Sequence, residues 1–196
     1  MNGTSFSTDA KNVENKAASF DGGDDYIRVA DQSSYFARDK MTFALQFNLR
    51  SANVRSALFN KSAWNTASAV AYGVGISQDN QPVLEFVVAD PTDCSTIWLY
   101  NTSSATRSTT PLQSNRWMHL AVVYNFGLEI IYVNGQYNSA RVSNYSSLKR
   151  CDVADLKIGG WWKDDIVSIE GKIDEFRIYD RVLAENEIEK LASEIN

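Results

Sequence analysis

Nine residues, "MTFALQFNL" from Met41 to Leu49, alternate without a break between two kinds of side chain. Met41, Phe43, Leu45, Phe47 and Leu49 fall on one face, and Thr42, Ala44, Gln46 and Asn48 on the other. A period of two is the mark of a strand with one face turned to a core. "VAYGVGIS" repeats the pattern more softly, with Val70, Tyr72, Val74 and Ile76 in phase. "PVLEFVV", "STIWLY", "WMHLAVVY" and "LEIIYV" add further strand-like runs, separated by turn chemistry in "DGGDD", "SQDNQP", "NFG" and "VNGQ". Asn134-Gly135 is a two-residue hairpin signal. "LAVVY" and "LEIIYV" are apolar on both faces, so such strands need cover on each side. Many short strands with hardly any helix predict an all-β antiparallel sandwich or barrel. The single helix expected is terminal: "LAENEIEKLASEI" places Leu183, Ile188, Leu191 and Ile195 near one face, with Asp180 as its cap or as a partner for Arg181.

The chain has 196 residues, enough for one good core rather than two. We expect a polar, loosely ordered lead-in over 1–16 and a single domain over 17–196, with "ATRSTTPLQSN" as a surface loop. A net charge of -5 argues against nucleic acid, whose phosphates require a basic surface. No apolar run is long enough for a membrane span. The opening is polar and lacks the apolar segment of a secretory leader, an absence that a module excised from a longer chain would share. Cys94 and Cys151 form either one disulfide, worth about 3–5 kcal/mol in a chain-entropy account, or two separate thiols. With one histidine and no CxxC, a zinc site is not expected. Asn2, Asn60, Asn101 and Asn144 stand in N-x-S/T sequons, which matter only in a eukaryotic secretory pathway.

Five blocks, taken in order, are similar to one family. "AASFDGGDDYIRVAD" resembles the opening of bacterial laminin G-like, concanavalin A-like jelly-roll modules, and "MTFALQFNLR" their second conserved strand. "NRWMHLAVVYNFGLEIIYVNGQ" resembles the central hairpin, "LKIGG" the strand after it, and "GKIDEFRIYDRVLAENEI" the closing strand and terminal turn. The resemblance implies a jelly roll with one convex and one concave sheet, first and last blocks adjacent. It also implies a setting on secreted or surface proteins, a virion-associated adhesin included. It places Trp117 in the core.

The closing strand raises a question of its own. Strict alternation puts Asp174 on the face of Phe176 and Ile178, toward the core. A buried carboxylate is costly unless it is hydrogen-bonded, paired or metal-bound. Enzymes of the resembling fold hold a structural calcium with an Asp in this strand. The resemblance therefore implies one calcium ion held by Asp174, with Asp21 as a second oxygen source and Gly22 through its carbonyl. The alternative is that Asp174 bonds backbone N–H groups or pairs with Arg28 or Arg177.

The fold also hosts glycoside hydrolases, which need two carboxylates about 5–9 Å apart across the scissile bond. No same-face pair is legible: Glu85 stands alone, Asp174 and Glu175 are adjacent, Glu185, Glu187 and Glu189 lie on the helix, and Asp152, Asp155, Asp164 and Asp165 read as turn or loop residues. His119 has no nucleophile placed beside it and reads as a satisfied structural residue. The expected activity is non-catalytic binding of a cell-surface or matrix glycan. Exposed rings that would stack on sugar faces are sought in Trp161, Trp162 and Trp64, with Asp164 as a hydroxyl partner and Tyr72 as a groove residue. Tyr100 carries less weight, and Trp98 reads as core. The alternative is a structural or protein-adhesion module of the same fold, with a surface protein as partner and no sugar ligand.

Overall fold

A computed structural model describes residues 3–31, 39–52, 56–63, 70–77, 81–88, 105–148, 154–160 and 168–195. Thirteen strands and one helix occupy them. In chain order the strands are β1 (Ser5–Ser7), β2 (Ala17–Asp21), β3 (Ile27–Val29), β4 (Lys40–Leu49), β5 (Ser56–Ala63), β6 (Val70–Ile76) and β7 (Leu84–Val88). They continue with β8 (Thr106–Arg107), β9 (Trp117–Asn125), β10 (Leu128–Val133), β11 (Gln136–Val142), β12 (Ala154–Ile158) and β13 (Glu170–Tyr179), before α1 (Glu185–Ser193). One sheet has seven strands in the order β1-β2-β13-β4-β9-β10-β11, the other six in the order β3-β12-β5-β6-β7-β8. All named strand pairs are antiparallel. β2 and β13 pair, so the first and last blocks of the sequence are neighbours, as the resemblance implied.

The alternation of β4 is realised residue by residue. Met41, Phe43, Leu45, Phe47 and Leu49 enter the core between the sheets, where Phe43 meets Phe59 at 5.2 Å and Tyr72 at 4.9 Å between ring centroids. Each such ring removes some 150–250 Å² of apolar surface from water, which makes this aromatic cluster the main adhesive of the sandwich. Tyr72 is therefore a core residue with no exposure, and not a groove residue: β6 aims it inward with Val74 and Ile76. Burial pushes its phenol well above the ordinary range.

The opposite face of the seven-stranded sheet is covered along only part of its length. Ala44, Ala121, Val123 and Tyr132 form a second small core with Leu183 and Ile188 of the α1 segment. This cover explains why "LAVVY" is apolar on both faces. Thr42 pins the approach to the helix, donating to the Arg181 carbonyl at 2.8 Å and accepting from the Leu183 N–H at 3.1 Å. The helix start differs from the sequence expectation. Glu187, and not Asp180, reaches back to accept from the Ala184 N–H at 2.9 Å and takes the hydrogen-bonded pair with Arg181. These contacts hold the Glu187 carboxyl down at about 2.

Three other expectations change. Residues 5–7 of the expected lead-in form an edge strand on β2, and Asp9 accepts the Lys11 and Val13 N–H groups at 2.8 Å each to close the following turn. The expected loop after residue 104 starts as β8 and buries Thr106, Ser108 and Leu112. Thr106 donates to the buried Glu129, which ties the edge of one sheet to the other. Asp155 is no turn residue: it lies buried within β12, paired with Arg28 and accepting the Asp31 N–H.

Candidate functional site

The Asn134-Gly135 hairpin forms as expected, with both residues at positive φ (51° and 82°) and Val133 opposite Gln136. That geometry is the two-residue turn suited to twisted strands. It also does local work. Asn134 accepts the His119 N–H on its side-chain oxygen at 2.9 Å and donates its own N–H to the His119 carbonyl at 2.8 Å. A Cβ on Gly135 would stand 3.0 Å from the Ala192 Cβ and 3.2 Å from the Glu189 Cα, so only a glycine lets the last turns of α1 come this close.

Between this hairpin and the end of α1 lies an open cavity of about 520 Å³. Its walls carry Arg116, Trp117, Asn134, Gln136, Glu189 and Ser193. Trp117 was expected in the core and is instead half-buried at the first position of β9, on the face away from the other sheet. Parity explains it. Met118, Leu120, Val122 and Tyr124 point inward, so Trp117 and His119 point outward. This signal was present in "WMHLAVVY", but the resemblance of that block to the family's central hairpin outweighed it.

Trp117 ends a row of four side chains that crosses the sheet. The register pairs Ser19 with Lys172, Lys172 with Asn48, and Asn48 with Trp117. A second cavity, of about 250 Å³, opens over this row and is lined by Ser19, Asn48, Arg50, Asn115 and Lys172 together with Phe20 and Gly171. The uncovered end of the face thus offers one aromatic ring, several amide and hydroxyl groups, and cations.

The next row runs Asp174, Gln46, His119, again matched strand to strand. Asp174 does not point into the core. A bulge between Asp174 and Arg177 sets Glu175 and Phe176 against the single residue Leu45, and Glu175 adopts φ 51°. The extra residue reverses parity, so Phe176 packs inward on Phe59 while Asp174 turns outward beside Gln46. There Asp174 lines a small cavity of about 100 Å³ with Asp9, Lys11, Glu175 and Glu194. Burial raises its pKa, the Glu175 N–H at 2.8 Å pulls it back, and the neighbouring Glu175 and Asp9 charges raise it further. His119 is 2% exposed, and its Nδ1 has no hydrogen-bond partner among the described residues, so it is not the satisfied residue expected. Burial, reinforced by the Arg177 charge, lowers its pKa to about 4.

The expected calcium ligands do not meet. Asp21 pairs with Glu170, and Asp174 lies four residues further along β13, roughly 13 Å at the rise of a strand. Asp21 instead gathers with Asp24 and Asp25, whose carboxylate oxygens lie within 4.8 Å of one another. Gly22 makes the turn between them at φ +85°. The Asp25 carboxylate accepts the Asp21 N–H at 2.9 Å, and that of Asp21 accepts the Gly23 N–H at 2.7 Å. Three carboxylates suit a hard, oxygen-seeking cation. Trp64, Trp98, Tyr100, Trp161, Trp162, Asp164, Cys94 and Cys151 lie outside the described residues.

Sequence comparison with curated proteins gives no match. Comparison with solved structures shows what the fold is similar to. Domain 4 of AbnA, a GH43 extracellular arabinanase from Geobacillus stearothermophilus solved with arabinotriose, superposes with a TM-score of 0.66 at 18% identity, covering 96% of this chain and 87% of that one. A heptameric SAP-like pentraxin from Limulus polyphemus gives 0.64 at 15% identity, covering 89% and 80%. The Trypanosoma rangeli sialidase bound to the inhibitor DANA also gives 0.64 at 15%, over 92% of this chain but only 27% of the sialidase. A laminin G-like family pattern, described as the concanavalin A-like lectin/glucanases superfamily, matches residues 21–189. The chain accordingly belongs to the concanavalin A-like lectin/glucanase superfamily, as a laminin G-like jelly roll.

Proposed function

We propose that this jelly roll is a non-catalytic carbohydrate-binding module, acting at a cell surface or in a matrix, and that it binds sugar at the uncovered end of its seven-stranded sheet. One observation carries the reading: Trp117 opens its indole into a cavity that Arg116, Asn134, Gln136 and Glu189 also line, beside Ala192 and Ile195. A sugar ring presents weakly positive C–H groups to the negative face of an indole, and its hydroxyls need the amide, guanidinium and carboxylate partners found here. Hydrolysis would need two carboxylates across the bond, and Glu189 is the one acid lining this cavity among the described residues. The small acidic cavity around Asp174 holds only about 100 Å³, less than a sugar ring with its hydroxyls needs. The protein-adhesion alternative draws less support. Among the described residues, the exposed Phe6 and Val13 lie by one edge strand of the sheet, Tyr137 and Val142 on the other and Phe126 in the turn between β9 and β10, so they form no single apolar patch.

The test is a glycan-array screen followed by titration of the hits against wild type and Trp117→Ala. Stacking predicts a loss of about 1–3 kcal/mol in the variant, read as indole fluorescence or heat. Binding of equal strength in both proteins would remove Trp117 from the site.

We further propose a single structural calcium held by Asp21, Asp24 and Asp25, away from Asp174. The clustering of the three carboxylates supports it. Removing calcium with a chelator should lower the melting temperature of wild type and leave Asp24→Asn unmoved. Coincident melts of wild type with and without chelator would refute the proposal.

A further inference from the structure

The cavity beside Trp117 has a property that the sugar reading does not require. Among the described side chains lining it, two are cations, Arg50 and Lys172, and none is an acid, in a chain whose net charge is -5. The Lys172 ammonium donates to the Thr8 carbonyl at 3.3 Å and the Thr8 hydroxyl at 3.0 Å, both neutral acceptors. Arg116, at the junction of the two cavities, donates to the Gln113 amide oxygen at 2.8 Å, again a neutral partner. Arg50 has a carboxylate, Glu170 at 2.9 Å, but the pair is open to water. Lys172 and Arg116 are thus held in place by groups that orient them without cancelling their charge, while Arg50 shares its charge with Glu170.

Their position relative to the ring is set by the register. Lys172 and Trp117 are separated by one strand, with Asn48 between them. Two strand spacings amount to roughly 10 Å, about the length of a disaccharide. Asn115 in the cationic cavity and Arg116 in the Trp117 cavity are consecutive residues, so the cavities adjoin.

We propose that the ligand is an anionic glycan, with one sugar ring on Trp117 and the carboxylate or sulfate of its neighbour at Lys172 and Arg50. This rests on the sugar-site reading above. Charge-assisted hydrogen bonds are about twice as strong as neutral ones, so the anion would select among sugars that stack equally well. A uronate, a sialate or a sulfate ester shares this chemistry. A chain of net charge -5 repels polyanions at long range, so selection falls to contacts at the subsite.

The experiment uses the whole chain on an array that carries uronate, sialate and sulfated oligosaccharides beside their neutral counterparts. The best pair is then titrated with wild type, Lys172→Gln and Trp117→Ala. The expected result is at least about tenfold tighter binding of the anionic member in low salt. Lys172→Gln should erase that preference while still binding the neutral member as wild type does. Whether the preferred member bears a carboxylate or a sulfate tells which anion the subsite takes. Hits confined to neutral sugars, or a preference that survives Lys172→Gln, overturn the anionic subsite and leave the Trp117 site standing. An array with no hits overturns both. Equal retention of a DNA oligomer, insensitive to Trp117→Ala, also overturns the proposal, since it would mark mere polyanion attraction.

Discussion

His119 makes the stability of this sandwich depend on pH in a direction that can be worked out beforehand. It lies under the end of α1, 2% exposed, and its pKa falls from 6.5 to about 4 because burial disfavours the imidazolium. Arg177 adds to the effect, while Glu194, paired with Arg177 at 2.8 Å, opposes it. The unfolded chain takes up its proton near 6.5 and the folded chain only near 4. Between those values the unfolded state binds more protons, so stability is lost as pH falls. From pH 7 to 5 the loss assigned to this group is about 2 kcal/mol, approaching about 3 kcal/mol once both states are protonated. The perturbation is His119→Gln, which cannot titrate. Urea midpoints at pH 7 and pH 5 should fall further apart in wild type than in the variant, by that difference of about 2 kcal/mol. Because the chain has a single histidine, its imidazole proton resonances report the titration without assignment. A resonance that titrates near 6.5, or parallel pH curves for the two proteins, would refute the reasoning.

Two further perturbations address the supports of the site. Glu129 has a raised pKa, chiefly from burial, with Thr106 and Arg141 pulling it back. Its neutral form is favoured on folding, so its contribution declines as pH climbs from 4.5 through the raised value, opposite in sign to His119. Denaturation of Glu129→Gln across pH 4 to about 8 should lack that decline while keeping the histidine-linked loss at low pH. Gly135→Ala places a Cβ at positive φ and 3.0 Å from Ala192. It should cost about 1–3 kcal/mol in urea melts and weaken sugar binding by displacing α1 from the cavity wall.

How much the sequence reveals depends on how regular each strand is. β4 and the Asn134-Gly135 hairpin are regular, and reading them by parity and turn chemistry recovers both faces of the sheet correctly. The two-sided apolar pattern of β9 correctly called for cover, which Leu183 and Ile188 of the α1 segment supply. Trp117 was legible by the same parity, but its place in the block that resembles the family's central hairpin drew it into the core reading. The wall it faces is made of segments distant in sequence, the 134–136 turn and residues 189–195, and no local pattern announces their meeting. The cationic row was harder still. Ser19, Lys172, Asn48 and Trp117 become neighbours only through the pairing order β2-β13-β4-β9.

Asp174 failed for a definite reason, and that reason can be tested. Alternation assumes one residue per pleat, and nothing in "KIDEFRIY" shows that Glu175 and Phe176 share the place opposite Leu45. Glu175 is not the glycine that such a bulge would favour, and it sits at φ 51°. Deleting Glu175 would remove the extra residue and leave Asp174 opposite Gln46, Phe176 opposite Leu45 and Arg177 opposite Ala44, each on the face it already holds. Deleting Phe176 instead would put the Glu175 carboxylate opposite Leu45, on the core face. That exchange forfeits about 1.5–3 kcal/mol for the lost ring, before the cost of the buried carboxylate is counted. Glu175→Gly keeps the bulge and relieves the left-handed conformation, at the expense of the exposed pair with Arg177. It should hold stability within about 1 kcal/mol of wild type. Urea melts of the three variants separate phase from side chain: a large loss in the Phe176 deletion, with the Glu175 deletion and Glu175→Gly both near wild type, shows that Glu175 is the extra residue. An equally large loss in the Glu175 deletion would show that it is not, and the account of the bulge would fail.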